Sequence, residues 1–166
     1  MDEVQKKTAG SRGKAAEKAV REVLTDLGNR MATFDWDRIY DARSAGGRFP
    51  SRPGDFEWYY KGSDCVAFGL IEVKEVAHNV LLPKKNFNPK QVARLRKRQL
   101  AGARVIILVH HSVAKVWRWV PLQLFIDNPN VTSWNLGAFS MYPTARSALL
   151  NAKHDGAPAL SFVLFE

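Results

Sequence analysis

The run Val105–Val109 in RVIILVHH is apolar without a break, and a strand of that kind reads as a central one that is covered on both faces. A chain built around it needs helical layers above and below its sheet, which points to the α/β class with a mixed central sheet flanked by helices. The segment after it, AKVWRWV, has the pattern of the next strand. Ahead of it, Asn88 suits a helix cap and Pro89 the first helical position, and Val92, Leu95 and Leu100 mark an apolar side up to Ala101.

Upstream, Ala16, Val20, Val23 and Leu27 recur at helical spacing, with Ser11 placed to cap a helix and Gly28 to stop it. Glu17 falls at the flank of that stripe, where a side chain either looks into a cleft beside the core or stands in solvent. ATFDWDRIYD reads as extended; DFEWYY and VAFGLIEVKEV read as two strands of an antiparallel hairpin joined by KGSD, whose Gly62 suits a tight turn. Short helices are expected in PLQLFID and MYPTARSALLNAK, and a closing strand in ALSFVLFE. With 166 residues, 46% of them hydrophobic, the chain holds one core and not two. The expectation is a single domain over residues 11–166, after a frayed N-terminus over 1–10. A mobile basic loop at about 42–53 lies where ARSAGGRFPSRPG is rich in Gly, Ser, Pro and Arg.

Twenty-five Lys and Arg against 16 Asp and Glu leave a net charge of +9, which calls for a polyanionic partner, nucleic acid first and an anionic membrane second. Between Lys84 and Arg104 the chain carries Lys84, Lys85, Lys90, Arg94, Arg96, Lys97, Arg98 and Arg104 and no acid. Such a segment neutralises several phosphates with little base preference; the plainer reading is a basic helix that aids solubility. The first residues are charged and no stretch has the length of an apolar membrane span, so a soluble protein is expected, in the cytoplasm of a bacterial cell or a phage-infected host. Cys65 is alone, which excludes an intramolecular disulfide and a cysteine-based zinc cluster; a small buried or half-buried residue is expected there. His110 and His111 have no second ligand at metal-binding spacing, and the five tryptophans are expected in the core or at an interface.

Chemistry concentrates in the hairpin. Along IEVKE, alternation sends Ile71 and Val73 to one face and Leu70, Glu72 and Lys74 to the other, and pairing around KGSD brings Asp55 to the end of the second strand where Glu72 and Lys74 sit. Two ionised carboxylates that close require a cation or a proton. Mg²⁺ suits them, as it takes hard oxygen ligands and keeps waters for a phosphate and a nucleophile, with the Val73 backbone carbonyl as a further ligand. Lys74 then offsets charge that builds on the phosphate, and Glu17 supplies a further carboxylate, directly or through water. Gln91, one turn into the basic helix, either contacts a phosphate or a metal-bound water or is an exposed polar residue. The plainer reading of Glu72 and Lys74 is an alternating pair of charges on the exposed side of a strand. Asp64 is a rival acid, but it falls in the turn and points away.

PGDF followed by IEVKE resembles the PD-(D/E)XK nuclease core, with Gly54 interrupting the literal Pro-Asp pair. SRGKAAEKAV, the hairpin and LLPKKNFNPKQVARL, in that order, resemble RecU-type Holliday junction resolvases. In that family an Arg-Gly pair precedes a glutamate-bearing helix, here Arg12, Gly13 and Glu17, and an Asn-Phe-x-Pro-x-Gln motif opens the helix after the catalytic strand, here Asn86, Phe87, Pro89 and Gln91. VIILVHHS and LGAFSMYPT extend the likeness over roughly residues 11–150, with gaps. The resemblance implies a restriction-endonuclease-like core, Mg²⁺ or Mn²⁺ with one or two ions per site, no small-molecule cofactor, and a homodimer. It implies catalytic roles for Asp55, Glu72 and Lys74, supported by Glu17 and Gln91. The segment between the first helix and Asp55 is shorter than the stalk of bacterial members, which fits a compact relative of phage origin. Arg43, Arg48 and Arg52 are candidates for a reduced arm.

The expected activity is therefore metal-dependent hydrolysis of phosphodiesters in four-way DNA junctions, with paired nicks from a two-fold dimer. Arg12, Arg43, Arg48, Arg52, Lys84, Lys85, Asn86, Lys90, Arg94, Lys97 and Arg98 are the expected DNA contacts. Another nuclease on the same core, for restriction or repair, and a non-catalytic basic DNA-binding module are the alternatives.

Overall fold

The computed structural model describes residues 9–40 and 54–160, with side chains from residue 13 onward. Helix α1 (Ala9–Arg30) leads into β1 (Phe34–Arg38), β2 (Phe56–Lys61) and β3 (Val66–Val76). These strands form an antiparallel meander in which Phe56 pairs with Ile71 and Tyr59 with Phe68. A short strand β4 (Leu81–Pro83), a 3-10 turn (Lys84–Asn86) and α2 (Pro89–Leu100) then carry the chain back to β5 (Arg104–His111). That strand lies parallel to β3, with Leu70 beside Val105 and Lys74 beside Val109. Parallel neighbours require such a crossover. Strand β6 (Val116–Val120) pairs antiparallel with β5 and completes a five-stranded mixed sheet of order β1-β2-β3-β5-β6.

The sheet is covered on both faces, as the unbroken apolar run required. On one side Ala16, Val20, Leu24 and Leu27 of α1 pack with Trp58, Ile71, Ile106 and Leu108, together with Ala148 and Leu149 of α4 (Ala145–Leu150). An ion pair between Arg146 and Asp26, 2.5 Å, ties α4 to α1. On the other side Leu70, Ile107 and Val109 meet Leu95 of α2 and Phe125 of α3 (Gln123–Asp127). Each large apolar side chain so enclosed contributes about 1.5–3 kcal/mol. Strands β4 and β7 (Ser133–Asn135) form a separate small pair, as do β8 (Lys153–His154) and β9 (Ala157–Pro158). Trp58, Trp117 and Trp134 are buried, as expected of tryptophans in a core.

Several boundaries differ from expectation. Gly28 does not end α1: the Met31 amide still bonds the Leu27 carbonyl at 3.0 Å, and burial of Met31 holds the last turn in place. Ser11 is no cap, because the helix already contains Ala9 and Gly10, two residues of the expected frayed end. The remaining residues 1–8, the expected basic loop at 42–53, and residues 161–166 of the expected closing strand lie outside the described residues. Cys65 is exposed and not buried. It ends the β2–β3 turn, where its carbonyl accepts the Gly62 amide at 2.8 Å and its side chain faces outward. Helix α2 starts as its sequence signals dictate: the Asn88 side chain accepts the Lys90 amide at 2.8 Å and Pro89 occupies the first turn.

Candidate active site

The hairpin register delivers Asp55 to the middle of β3. Its amide donates to the Ile71 carbonyl at 2.9 Å, and its carboxylate Oδ2 accepts the Val73 amide at 2.6 Å, so the acid lies against the Glu72–Val73 peptide. Gly54 eases this approach, since a Cβ there would stand 3.2 Å from the Ile71 carbonyl oxygen, a tight contact that would push the two segments a few tenths of an ångström apart. Asp55 and Glu72 are each about 1% exposed, which removes the reading of Glu72 as a charge on the exposed side of a strand.

Lys74 is held from three directions. Its ammonium contacts Glu72 Oε1, donates to Gln91 Oε1 at 3.2 Å, and lies 5.1 Å from the centre of the Phe87 ring. Phe87 is itself fully buried against Phe125, so the cation rests on a fixed aromatic floor. Gln91 reaches Lys74 because the Asn88 cap starts α2 beside the end of β3; it is not an unattached surface amide. The other oxygen of Glu72, Oε2, is buried and has no hydrogen-bond partner among the described residues. A buried carboxylate oxygen left in that condition is costly unless something electropositive meets it. Two buried carboxylates, one of them with an oxygen that has no hydrogen-bond partner among the described residues, form a donor set that would fit Mg²⁺, which is commonly held by one or two carboxylates.

Glu17 does face a cleft, as its flank position allowed, but it is not gathered with the other two acids. Arg38 Nη2 donates to Glu17 Oε2 at 2.6 Å, and Lys14, Lys18, Arg21 and Phe56 line the space around this pair. Among the described residues no group of three His, Cys, Asp or Glu side chains is placed to hold one ion. The sequence reading missed Arg38. Alternation along β1 was the available signal, because Phe34, Trp36 and Arg38 share the more buried side of that strand.

The basic segment is divided in use. Lys85, Lys90, Lys97 and Arg98 are exposed, and Asn86 and Arg94 half-buried. Arg94, Lys97 and Arg98 line one groove on the outer side of α2. Lys84 donates to the Pro129 carbonyl and Arg104 to the Ala159 carbonyl, so these two cations serve the fold. The side chains of Arg12, Arg43, Arg48 and Arg52 lie outside the described residues. Asp64 stays in the exposed turn beside Ser63. His110 stacks on Trp117 and His111 abuts the His78 carbonyl; burial pushes both imidazoles below their ordinary range, which keeps them neutral.

Comparison of the sequence with protein-family models and with curated proteins gives no match. Among solved structures the chain is similar to Hjc, a Holliday junction resolvase of Archaeoglobus fulgidus, at 21% identity over 66% of this chain and 75% of that one, with a TM-score of 0.40. It is also similar to D212, a nuclease from a fusselovirus, at 10% identity over 89% of this chain and 95% of that one, with a TM-score of 0.45.

Proposed function

We propose that the protein is a metal-dependent endodeoxyribonuclease that resolves four-way DNA junctions, each protomer of a homodimer cutting one strand. The observation that carries this reading is the burial of Asp55 and Glu72 at one point of β3, with one Glu72 oxygen unpartnered and Lys74 fixed beside it. Asp55, Glu72 and the Val73 carbonyl are the groups to hold Mg²⁺, or Mn²⁺ in its place. Such an ion supplies positive charge at the scissile phosphate and a more acidic water.

The chain's own groups do the rest. The Val73 amide fixes the rotation of the Asp55 carboxylate, so its second oxygen is directed and not free to turn. Gln91 and Phe87 hold the Lys74 ammonium in place before any substrate arrives, so it meets the charge that develops on the phosphate without a cost of reorganisation. The cations of α2 bind neighbouring phosphates and bring the backbone to the site. A four-way junction is approximately two-fold symmetric, which matches two symmetry-related sites and places selectivity in shape and not in base reading.

The test is cleavage of a synthetic four-way junction, a flap and a linear duplex, each with Mg²⁺ and with EDTA. Paired nicks are expected on the junction in Mg²⁺ only. Equal cutting of the linear duplex would place the protein among general DNases, and junction binding without cutting in Mg²⁺ or Mn²⁺ would leave a binding module. A companion measurement concerns α2. Replacing Arg94, Lys97 and Arg98 by glutamine is expected to flatten the dependence of log affinity on log salt by about 0.9 for each phosphate that is no longer neutralised. An unchanged slope would put the DNA on another surface.

A further inference from the structure

We propose that Tyr59 and Phe68, bordered by Arg98, form a stacking platform for unpaired DNA bases next to the cleavage site, an inference that rests on the nuclease reading above. The two rings stand opposite one another in the β2–β3 register and are 47% and 40% exposed, whereas most large apolar side chains of the sheet are enclosed. Two exposed rings side by side on a sheet face make a contiguous apolar patch, the kind of surface that serves recognition and not the core.

The location links this surface to the chemistry. Phe68, Leu70, Glu72 and Lys74 alternate onto one face of β3, so the rings and the candidate site share that face, and Phe68 lies about 13 Å along the strand from Glu72. Helix α2 covers the Glu72 end through Gln91 and leaves the other end as an open groove. Its lining includes Glu57, Tyr59, Phe68, Leu70 and Arg98. Arg98 also borders the adjoining groove with Arg94 and Lys97, so cations accompany the rings along the helix.

Rings for bases beside guanidinium and ammonium groups for phosphates are the combination that binds single strands without base preference. A second copy of the chain fits this surface less well, because a two-fold contact here brings Arg94, Lys97 and Arg98 towards their own images. The acid in the groove lining is Glu57; burial, with this carboxylate beside the ring, raises the Tyr59 hydroxyl above its ordinary range, so the phenol presents a neutral ring to the groove.

The probe is a splayed-arm duplex with 2-aminopurine in one unpaired tail, titrated with the full chain in EDTA and compared with a blunt duplex of equal length. The wild type is expected to quench the probe and to bind the splayed DNA about tenfold more tightly than the blunt one. Tyr59→Leu with Phe68→Leu should lose both effects while keeping blunt-duplex affinity, and Tyr59→Phe with Phe68→Tyr should retain both. The single Tyr59→Leu variant, at a half-exposed position, should lose part of the quenching and provides the answer if the double variant does not fold. Retention of the splayed preference in the leucine variants would overturn the platform, as would a dimer-to-monomer change in sedimentation as their sole effect. The assay needs no cleavage, so an inactive wild type would sink the nuclease reading and leave this result standing; cleavage without quenching would sink the platform alone.

Discussion

Asp55→Asn is expected to lower junction cleavage roughly 10²–10³-fold and to leave the fold as stable as before or slightly more so. The two effects have one cause. Asparagine keeps a side-chain oxygen that accepts the Val73 amide, so the 2.6 Å hydrogen bond that seats residue 55 survives. What disappears is a negative charge at the peptide next to buried Glu72, and neighbouring like charges in a buried site repel one another. Under the proposed function, losing that charge removes a group that would hold the metal and relieves the repulsion together.

Lys74→Ala should show the same loss of rate with the opposite effect on stability. Glu72 would keep its buried position while losing the cation at Oε1, with Oε2 already unpartnered. Breaking a buried ion pair from one side typically costs about 3–5 kcal/mol. Mg²⁺ should therefore raise the thermal midpoint of Lys74→Ala more than that of the wild type, since binding to the folded state alone stabilises it. Single-turnover nicking, metal-free binding of the junction and melting with and without Mg²⁺ separate the cases. Normal cleavage by Asp55→Asn would remove Asp55 from the site, and a large loss of its stability would make the carboxylate structural.

The hairpin was legible in the sequence because a period of two decides every side chain's face once the turn is placed. Asn88 and Pro89 gave the start of α2 for an equally local reason, a cap and a ring that fit one position each. The alternation that located Glu72 could not give its depth. Burial there depends on Phe87 and α2 folding over the strand, and Lys74 meets Gln91 across a sequence separation of 17. The Glu17–Arg38 pair is of the same kind, 21 residues apart and made by packing of a helix on a strand. Gly28 shows a local signal overruled: a glycine suited to stop a helix is outweighed by the apolar gain of burying Met31 one turn later. Nothing in the pattern of VAFGLIEV announced how strictly Gly69 is required.

At that position Gly69→Ala is expected to lower stability by about 3 kcal/mol, near the upper end of what overpacking costs. An alanine Cβ would stand 2.2 Å from the Arg104 carbonyl oxygen and 2.6 Å from two atoms of the Trp58 ring. Neither neighbour moves easily, because Arg104 pairs with Gly69 in the parallel β3–β5 ladder and Trp58 is fully buried opposite it in β2. For a domain of this size the loss corresponds to a fall of roughly 6–12 °C in melting temperature, against a total stability of about 5–15 kcal/mol. The ring's share can be separated from the backbone's. Trp58→Leu alone leaves a cavity, but in the double variant its smaller side chain admits the new methyl, so the two changes together should cost less than their sum. Strict additivity would assign the whole penalty to the Arg104 carbonyl, and the sheet would then depend on a glycine at the point where its parallel pair begins. Since Glu72 and Lys74 lie further along the same strand β3, either result also says how rigidly the groups of the candidate site are held.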